Sequence, residues 1–193
     1  MPPKCKFSKE EIVRTALDMV RSDGIDIVTA RALGDRLGSS SKPIFSVFQN
    51  MDEVHQGIIK AARDVYNQYV QDGLLQEIAF KGVGMQYIKF ARNEPKLFQL
   101  LFMTEQGENN DVFGVLPLID DNYSEILLSI QKQYGIEEDS AKYLYRHLWI
   151  YTHGIASLIA ANVCDFNEQQ TSDMLTEIFT GLLRKMKEDK NHD

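Results

Sequence analysis

The stretch VTARALGDRLGSSSKPIFSVFQN, residues 28–50, decides the fold of this chain. Thr29 can accept a backbone hydrogen bond at the start of a short helix, and Gly38 can end that helix. Ser40 can cap a third short helix, over residues 41–47. Two short helices joined by a tight turn are typical of a helix-turn-helix. The stretch therefore predicts a DNA-reading element.

The segment before this stretch supplies the first helix of the same domain. Ser8 followed three residues later by Glu11 is typical of a capping box. Apolar residues then recur at helical spacing over 12–20, and Gly24 can end the helix. In such domains the last short helix enters the major groove, about 12 Å wide, with its first residues at the base edges. The pattern predicts a helix-turn-helix DNA-binding domain over residues 1–50.

The remainder of the chain, residues 51–193, also has apolar residues at helical spacing and no alternating strand pattern. The sequence therefore predicts an all-α fold of about nine helices, in which a three-helix N-terminal domain precedes a larger helical domain. Helices of the larger domain are predicted at about residues 52–73, 74–92, 95–103, 117–134, 138–163 and 167–187. Asn167 with Gln170 is typical of a second capping box.

The segment Phe7–Ile58 resembles the DNA-binding domain of the tetracycline-repressor (TetR/AcrR) family of bacterial regulators. The matching stretches are IVRTALDMVRSDGID and VTARALGDRLGSSSKPIFSVFQNMDEV. The resemblance implies a homodimer whose recognition helices enter successive major grooves of a double-stranded operator. The residues expected to meet DNA are Arg31, Ser40, Ser41, Lys42, Pro43, Phe45, Ser46 and Lys6.

Three positions depart from the family pattern. Phe45 stands where the family usually has a Tyr whose hydroxyl binds a phosphate, and Met51 stands where it usually has a Lys. Ser39 replaces a small apolar residue of the turn. The absence of two phosphate-binding groups should weaken DNA binding, and the absence of the cation should lower the salt slope by about one unit. The alternative is a small-molecule-binding or adaptor protein with a degenerate helix-turn-helix.

The charge is divided unevenly along the chain, which has 21 Lys and Arg, 28 Asp and Glu, and a formal net charge of -7. Residues 1–50 contain eight basic and six acidic residues, net +2, which leaves 13 basic and 22 acidic residues, net -9, for residues 51–193. The acidic total argues against a protein that coats polyanions throughout. A local DNA site remains compatible with it, because charges more than about 8 Å apart are largely screened.

The larger domain is expected to provide dimerisation and ligand binding. The resemblance implies that the last two long helices pair with their copies as a four-helix bundle, whereas the alternative is an ordinary monomer core. The residues predicted for dimerisation are Tyr145, Leu148, Leu158, Ile159, Leu175, Ile178 and Leu182. A ligand would release the operator by changing the angle of the helix that begins near residue 52.

A cavity for a small, partly aromatic or apolar effector is predicted between helices of the larger domain, because pockets are mostly apolar with a few polar groups. Its candidate lining residues are Met85, Phe98, Phe102, Phe113, Tyr123, Leu127, Trp149 and His153. Taken singly, each of these aromatic residues is more typical of simple core than of a pocket lining. His153 is interpreted as a core histidine bonded to a backbone carbonyl or as a group that hydrogen-bonds the ligand.

Catalysis is not expected, because no HExxH, GxSxG, P-loop or GxGxxG motif is present. His147 and His153 lie about 120° apart around a helix, so no metal pair is predicted, and no cofactor is implied. Acidic pairs such as Asp120-Asp121 are expected to face solvent at helix N-termini. Without a CxxC motif, a signal sequence or an uninterrupted apolar span, the protein is expected to be cytoplasmic, with free thiols and no membrane contact.

Overall fold

The computed structural model describes residues 6–104 and 115–189. Within these residues the regular structure consists of helices and no strand, which confirms the predicted all-α fold. The α-helices are α1 Lys9–Asp23, α2 Ala30–Arg36, α3 Met51–Leu74, α4 Ala79–Asn93, α5 Pro95–Phe102, α6 Val115–Ile119, α7 Tyr123–Tyr134, α8 Glu138–Ala160 and α9 Glu168–Asp189. Two short 3₁₀ helices cover Ile25–Ile27 and Ile44–Ser46. None of the described helices combines the length and hydrophobicity that crossing a membrane requires.

The chain forms two compact units. The first comprises Met1–Val65 and Glu94–Thr104, and the second comprises Tyr66–Asn93 and Glu105–Asp193. Helix α3 contributes residues to both units, and α5 belongs to the first. The assignment of DNA binding to residues 1–50, and of ligand binding and dimerisation to residues 51–193, stays a prediction.

The first unit begins with the predicted capping box. The Glu11 backbone N–H donates to Ser8 Oγ (3.1 Å), and the Ser8 N–H donates to Glu11 Oε2 (2.8 Å). The predicted end of α1 is also confirmed, because Gly24 adopts φ +92° and its N–H donates to the Val20 carbonyl (2.8 Å). Helix α1 packs against α2 and α5 and buries Ile12 completely.

Helix α4 lies at the centre of the second unit, where it packs against α7, α8 and α9. Its first turn crosses the end of α3 at two glycines, and a Cβ atom on Gly82 would lie 2.3 Å from the Gly73 carbonyl oxygen. The predicted cap of α9 is confirmed by reciprocal bonds between Asn167 and Gln170 at 2.9 and 2.8 Å. Close backbone packing of α3 on α4 thus depends on residues without side chains.

Two helices of the second unit differ clearly from their predicted ranges. The helix predicted over 74–92 begins at Ala79, because α3 continues to Leu74 and a turn follows. The helix predicted over 117–134 is divided into α6 and α7 at Asp120. The Asp120 carboxylate accepts a bond from the Asn122 backbone N–H (2.9 Å), a local turn that competes with continued helix.

Candidate functional site

The predicted recognition helix over residues 41–47 is wrong in type and length. The segment is a turn followed by the 3₁₀ helix Ile44–Ser46. The Ile44 N–H donates to the Ser41 carbonyl (3.1 Å), which is three-residue spacing. The Ser46 hydroxyl donates to the Pro43 carbonyl (2.6 Å), so this carbonyl is already satisfied by a local side-chain bond.

The turn before this segment lies directly against α2. A Cβ atom on Gly34 would be 3.0 Å from both Ser40 C and Ser41 N, so a larger residue there would require the turn to move. Ile44 is completely buried, and Leu33 of α2 is buried as well. The close contact of Gly34 with the turn backbone and the buried Ile44 side chain therefore fix the position of the turn on α2.

Most residues predicted to meet DNA are exposed in the first unit. Arg31, Ser40, Lys42 and Ser46 are exposed, and Phe45 retains 45% of its surface. Ser41 and Pro43, which were also predicted to meet DNA, are half-buried. These contacts with DNA stay predictions, for which the exposed side chains provide the necessary access.

Two of the exposed cationic residues have no partner among the residues that the structure describes. Within residues 6–104 and 115–189, the side chains of Arg31 and Lys42 form no ion pair or hydrogen bond. Lys6 lies beside the turn, because its Nζ donates to Ser39 Oγ (3.1 Å). Arg31 and Lys42 therefore remain available to an external anion.

Lys9 is committed to the protein itself. Its Nζ lies 2.6 Å from Glu53 Oε1 and 4.9 Å from the centroid of the Phe48 ring. The hydrogen bond from Lys9 lowers the pKa of Glu53, with a second contribution from the Gln49 backbone N–H. The sequence contained no sign of this pairing, because 44 positions separate the two residues.

The second unit contains a cavity of about 310 Å³, within the size range of ligand pockets. Residues of α3, α4, α7, α8 and α9 line it, together with Ile78 and Asp120. Its aromatic lining consists of Tyr66, Phe80, Tyr87, Tyr134, Tyr145, Trp149 and Phe179. The cavity is therefore bounded largely by rings, with few polar groups.

Only part of the predicted lining is brought together here. Trp149 lines the cavity, and the His153 ring stacks on the Trp149 ring with 4.9 Å between the ring centroids. Burial lowers the pKa of His153, whose Nδ1 lies 2.9 Å from the hydroxyl of the lining residue Tyr87. His153 thus pairs with a side chain beside the cavity, and both interpretations of its role stay predictions.

Five other predicted lining residues lie elsewhere. Met85, Tyr123 and Leu127 belong to the second unit but are not among the residues that line the cavity. Phe98 and Phe102 lie on α5 in the first unit, with ring centroids 5.4 Å apart. Phe113 falls outside the described residues. Ligand contact by these six residues stays a prediction.

Three residues predicted for dimerisation line the cavity instead of an outer surface: Tyr145, Leu148 and Leu175. All three are buried within the single chain. Leu158 is 40% exposed, Ile178 and Leu182 are half-buried, and Ile159 is buried. A role in dimerisation stays a prediction for all seven, although α8 and α9 divide their apolar residues between the cavity and the outside.

Asp120, expected to face solvent, is buried at the cavity and retains only 3% of its surface. Its Oδ2 accepts hydrogen bonds from Tyr66 Oη (2.9 Å) and Tyr145 Oη (3.1 Å). Its Oδ1 accepts from the Asn122 backbone N–H (2.9 Å) and from Asn122 Nδ2 (3.3 Å). All four neighbouring groups donate, as an ionised, acceptor-only carboxylate requires.

The phenols around Asp120 are held in their neutral, donating form. Burial is the main cause that raises the pKa of Tyr66, Tyr87 and Tyr145 well above the ordinary value, and the negative charge of Asp120 raises it further. A neutral phenol keeps its proton for the carboxylate. The sequence did not indicate this cluster, because Tyr66, Asp120 and Tyr145 come from three distant segments.

Removing one phenolic hydroxyl should destabilise the second unit. We expect Tyr145→Phe to lower the free energy of unfolding by about 1–3 kcal/mol, because a buried carboxylate loses a donor and gains no replacement. Urea titration followed by circular dichroism measures the change. Tyr151→Phe, on the same helix but without a side-chain hydrogen bond to the described residues, should change it by less than about 0.5 kcal/mol. Equal effects of the two substitutions would contradict this account of the cluster.

Metal binding finds no support in the side chains of the described ranges 6–104 and 115–189. No three His, Cys, Asp or Glu residues there are grouped so that they could hold an ion. His147 lies near the Tyr143 ring, with centroids 4.3 Å apart, and His153 faces Tyr87 and Trp149. The aromatic rings that line the cavity make it a candidate site for an organic ligand.

One helical unit thus presents an exposed turn, and the other contains an aromatic cavity of about 310 Å³. Residues 80–186, more than half of the chain, match the family described as Tetracyclin repressor-like, C-terminal domain. The chain is also 20% identical to an uncharacterized HTH-type transcriptional regulator of Mycobacterium tuberculosis, over 93% of this chain and 84% of that protein. The chain belongs to the tetracycline-repressor family of transcriptional regulators.

Proposed function

We propose that this protein is a ligand-responsive repressor, which binds an operator as a homodimer and releases it when a small molecule enters the second unit. The observation that carries the proposal is the cavity of about 310 Å³, which is lined mostly by residues of the segment that matches the family. A chamber of this size, bounded by aromatic rings, is what a sensor for a small organic molecule needs. A repressor of this kind would act in the cytoplasm.

The DNA-binding part of the proposal is supported by the free cations of the first unit. Arg31 and Lys42 are exposed and form no ion pair within the described parts of the chain. Lys6 adds a third positive charge beside the turn. Because Lys9 is paired with Glu53, it adds little to these cations, and binding should be modest with a correspondingly small salt slope.

The dimer is supported by apolar side chains that the single chain leaves uncovered. Ile150 and Leu158 on α8 are 45% and 40% exposed, and Val163 just beyond it is 67% exposed. Uncovered apolar groups on one long helix favour a contact between chains. Two copies would also provide the two half-sites that helix-turn-helix regulators normally read.

Helix α3 is the element through which a ligand would act on DNA binding. Tyr66 lines the cavity and lies on α3, whose residues Met51–Val65 belong to the first unit. A ligand that displaces Tyr66 would move α3. We propose that this movement changes the distance between the two recognition segments of the dimer and weakens operator binding.

Fluorescence anisotropy with DNA from upstream of the protein's own gene tests the proposal. We expect binding at least about 1,000-fold tighter than to scrambled DNA, with a footprint of two half-sites one helical turn apart. Equal affinity for both DNAs would overturn the repressor function. That result would favour the small-molecule-binding or adaptor protein, consistent with Phe45, which has no hydroxyl for a phosphate.

A further inference from the structure

The cavity of the second unit has a chemical preference that the proposed function does not specify. We propose that its ligand is an organic cation, a protonated amine on a compact apolar or aromatic body, with the nitrogen directed at Asp120. The inference rests on the proposed function only in taking this cavity as the effector site. It concerns binding, and it can fail or hold independently of DNA release.

Asp120 provides a buried negative charge without a positive partner among the described residues. Its hydrogen-bond donors are the hydroxyls of Tyr66 and Tyr145 and the backbone and side-chain nitrogens of Asn122, all neutral. No Lys, Arg or His in the described ranges forms an ion pair with it. Buried charges are normally paired. A cationic ligand would supply the missing counter-charge.

The rings around Asp120 suit the same kind of ligand. Tyr145 packs edge-on against Phe80, with centroids 5.8 Å apart, and Tyr66 packs edge-on against Tyr87 at 5.9 Å. All four residues and Trp149 line the cavity. Ring faces attract ammonium groups, and this attraction is strongest where water is excluded. The Asp120 carboxylate and the surrounding aromatic rings thus both favour a positive charge in this part of the cavity.

Lys81 in the cavity lining would favour an anionic ligand instead, but it lies closer to solvent than Asp120 does. Lys81 lines the cavity on α4, where its Nζ donates to Thr176 Oγ1 (3.0 Å). Lys81 is half-exposed, whereas Asp120 retains 3% of its surface. Because interactions between charges strengthen as water is excluded, Asp120 dominates inside the cavity. Lys81 would contact a polar end of the ligand near solvent.

The volume limits the size of the apolar body. A cavity of about 310 Å³ lies at the lower end of the range for ligand pockets, which favours a body of one or two rings. Diphenylpropylamine is a suitable probe, because its two phenyl rings carry a primary amine that is protonated at neutral pH. Diphenylpropanol and diphenylpropionate present the same body with a neutral and a negative end.

Isothermal titration of the full chain with these three probes tests the inference. We expect the amine to bind at least about tenfold more tightly than the alcohol, as a desolvated charge contact predicts, and the acid to bind more weakly still. Asp120→Asn, which removes the charge and keeps the shape, should abolish the preference for the amine. Lys81→Met, which removes the cation in the lining, should retain it.

The wild-type titration decides without any variant, so an unfolded Asp120→Asn protein would not prevent a result. Equal or tighter binding of the alcohol or the acid overturns the inference, and so does failure of all three probes to bind. A folded Asp120→Asn protein that still prefers the amine overturns it as well. Operator binding without amine binding leaves the regulator in place and rejects only this ligand class. Amine binding without operator release supports the ligand class and contradicts the ligand-responsive mechanism.

Discussion

Replacing Arg31 and Lys42 together by Ala is expected to lower operator affinity about 100-fold or more. Each cation is exposed and free of intramolecular ion pairs in the described parts of the chain, so each can contribute about 1–3 kcal/mol through bases or a phosphate. The slope of log affinity against log salt should fall by about one unit for each phosphate that the variant no longer neutralises. Anisotropy titrations between about 50 and 200 mM salt, concentrations over which phosphate neutralisation changes affinity by orders of magnitude, measure both quantities.

The matched control for this double variant is Lys9→Ala. It removes a cation from the same unit, but one that is already paired with Glu53 at 2.6 Å. We expect little change in the salt slope for this control and an unchanged circular dichroism spectrum for the double variant. If Lys9→Ala weakened binding as much as the double variant, general charge rather than these two side chains would explain the affinity. If the double variant bound as tightly as wild type, the proposed DNA contacts would be wrong.

The local signals of the first unit could be predicted because the causes of helix ends are local. Ser8 and Glu11 form the capping box and Gly24 ends α1, as their order in the sequence indicates. The type of helix at residues 44–46 could not be predicted in the same way. There the Ser46 hydroxyl donates to the Pro43 carbonyl, and residue order alone does not decide whether such a side-chain bond forms in place of continued α-helical bonding. The Lys9–Glu53 pair depends on a fold that brings distant residues together.

The sequence predicted a mostly apolar cavity in the larger domain, but it identified only some of the residues that line the observed cavity. Trp149 was one of the candidate lining residues, and it does line the cavity. The helical spacing of apolar residues in α8 could not decide whether Tyr145 and Leu148 face a cavity or a second chain, because either gives a buried apolar stripe. Asp120 was expected to face solvent, because acidic residues before a helix usually do. In the structure it is buried, and the hydroxyls of two tyrosines from distant segments donate hydrogen bonds to its carboxylate.

Gly82→Ala is expected to destabilise the protein by about 3 kcal/mol, although Ala is the better helix former by about 1 kcal/mol. The added Cβ would lie 2.3 Å from the Gly73 carbonyl oxygen and 3.0 Å from Gln76 Cβ. The nearest obstacle is backbone, which cannot rotate away as a flexible side chain can. Removing this overlap would require α4 to move away from the end of α3. Val83 on α4 and Tyr66 on α3 both line the cavity, so such a movement would also change the cavity.

Gly154→Ala is the matched control, because a Cβ on Gly154 of α8 would meet no atom of the described residues within 4 Å. Its helix propensity should therefore raise stability by up to about 1 kcal/mol. Urea unfolding of both variants thus compares the same chemical change with opposite expected signs. If Gly82→Ala were neutral, the two helices would not need their close approach at Gly73. If both variants lost stability, the loss would come from the substitution itself and not from the crossing. Opposite signs would show that the packing of α3 on α4 selects glycine at position 82 against helix propensity.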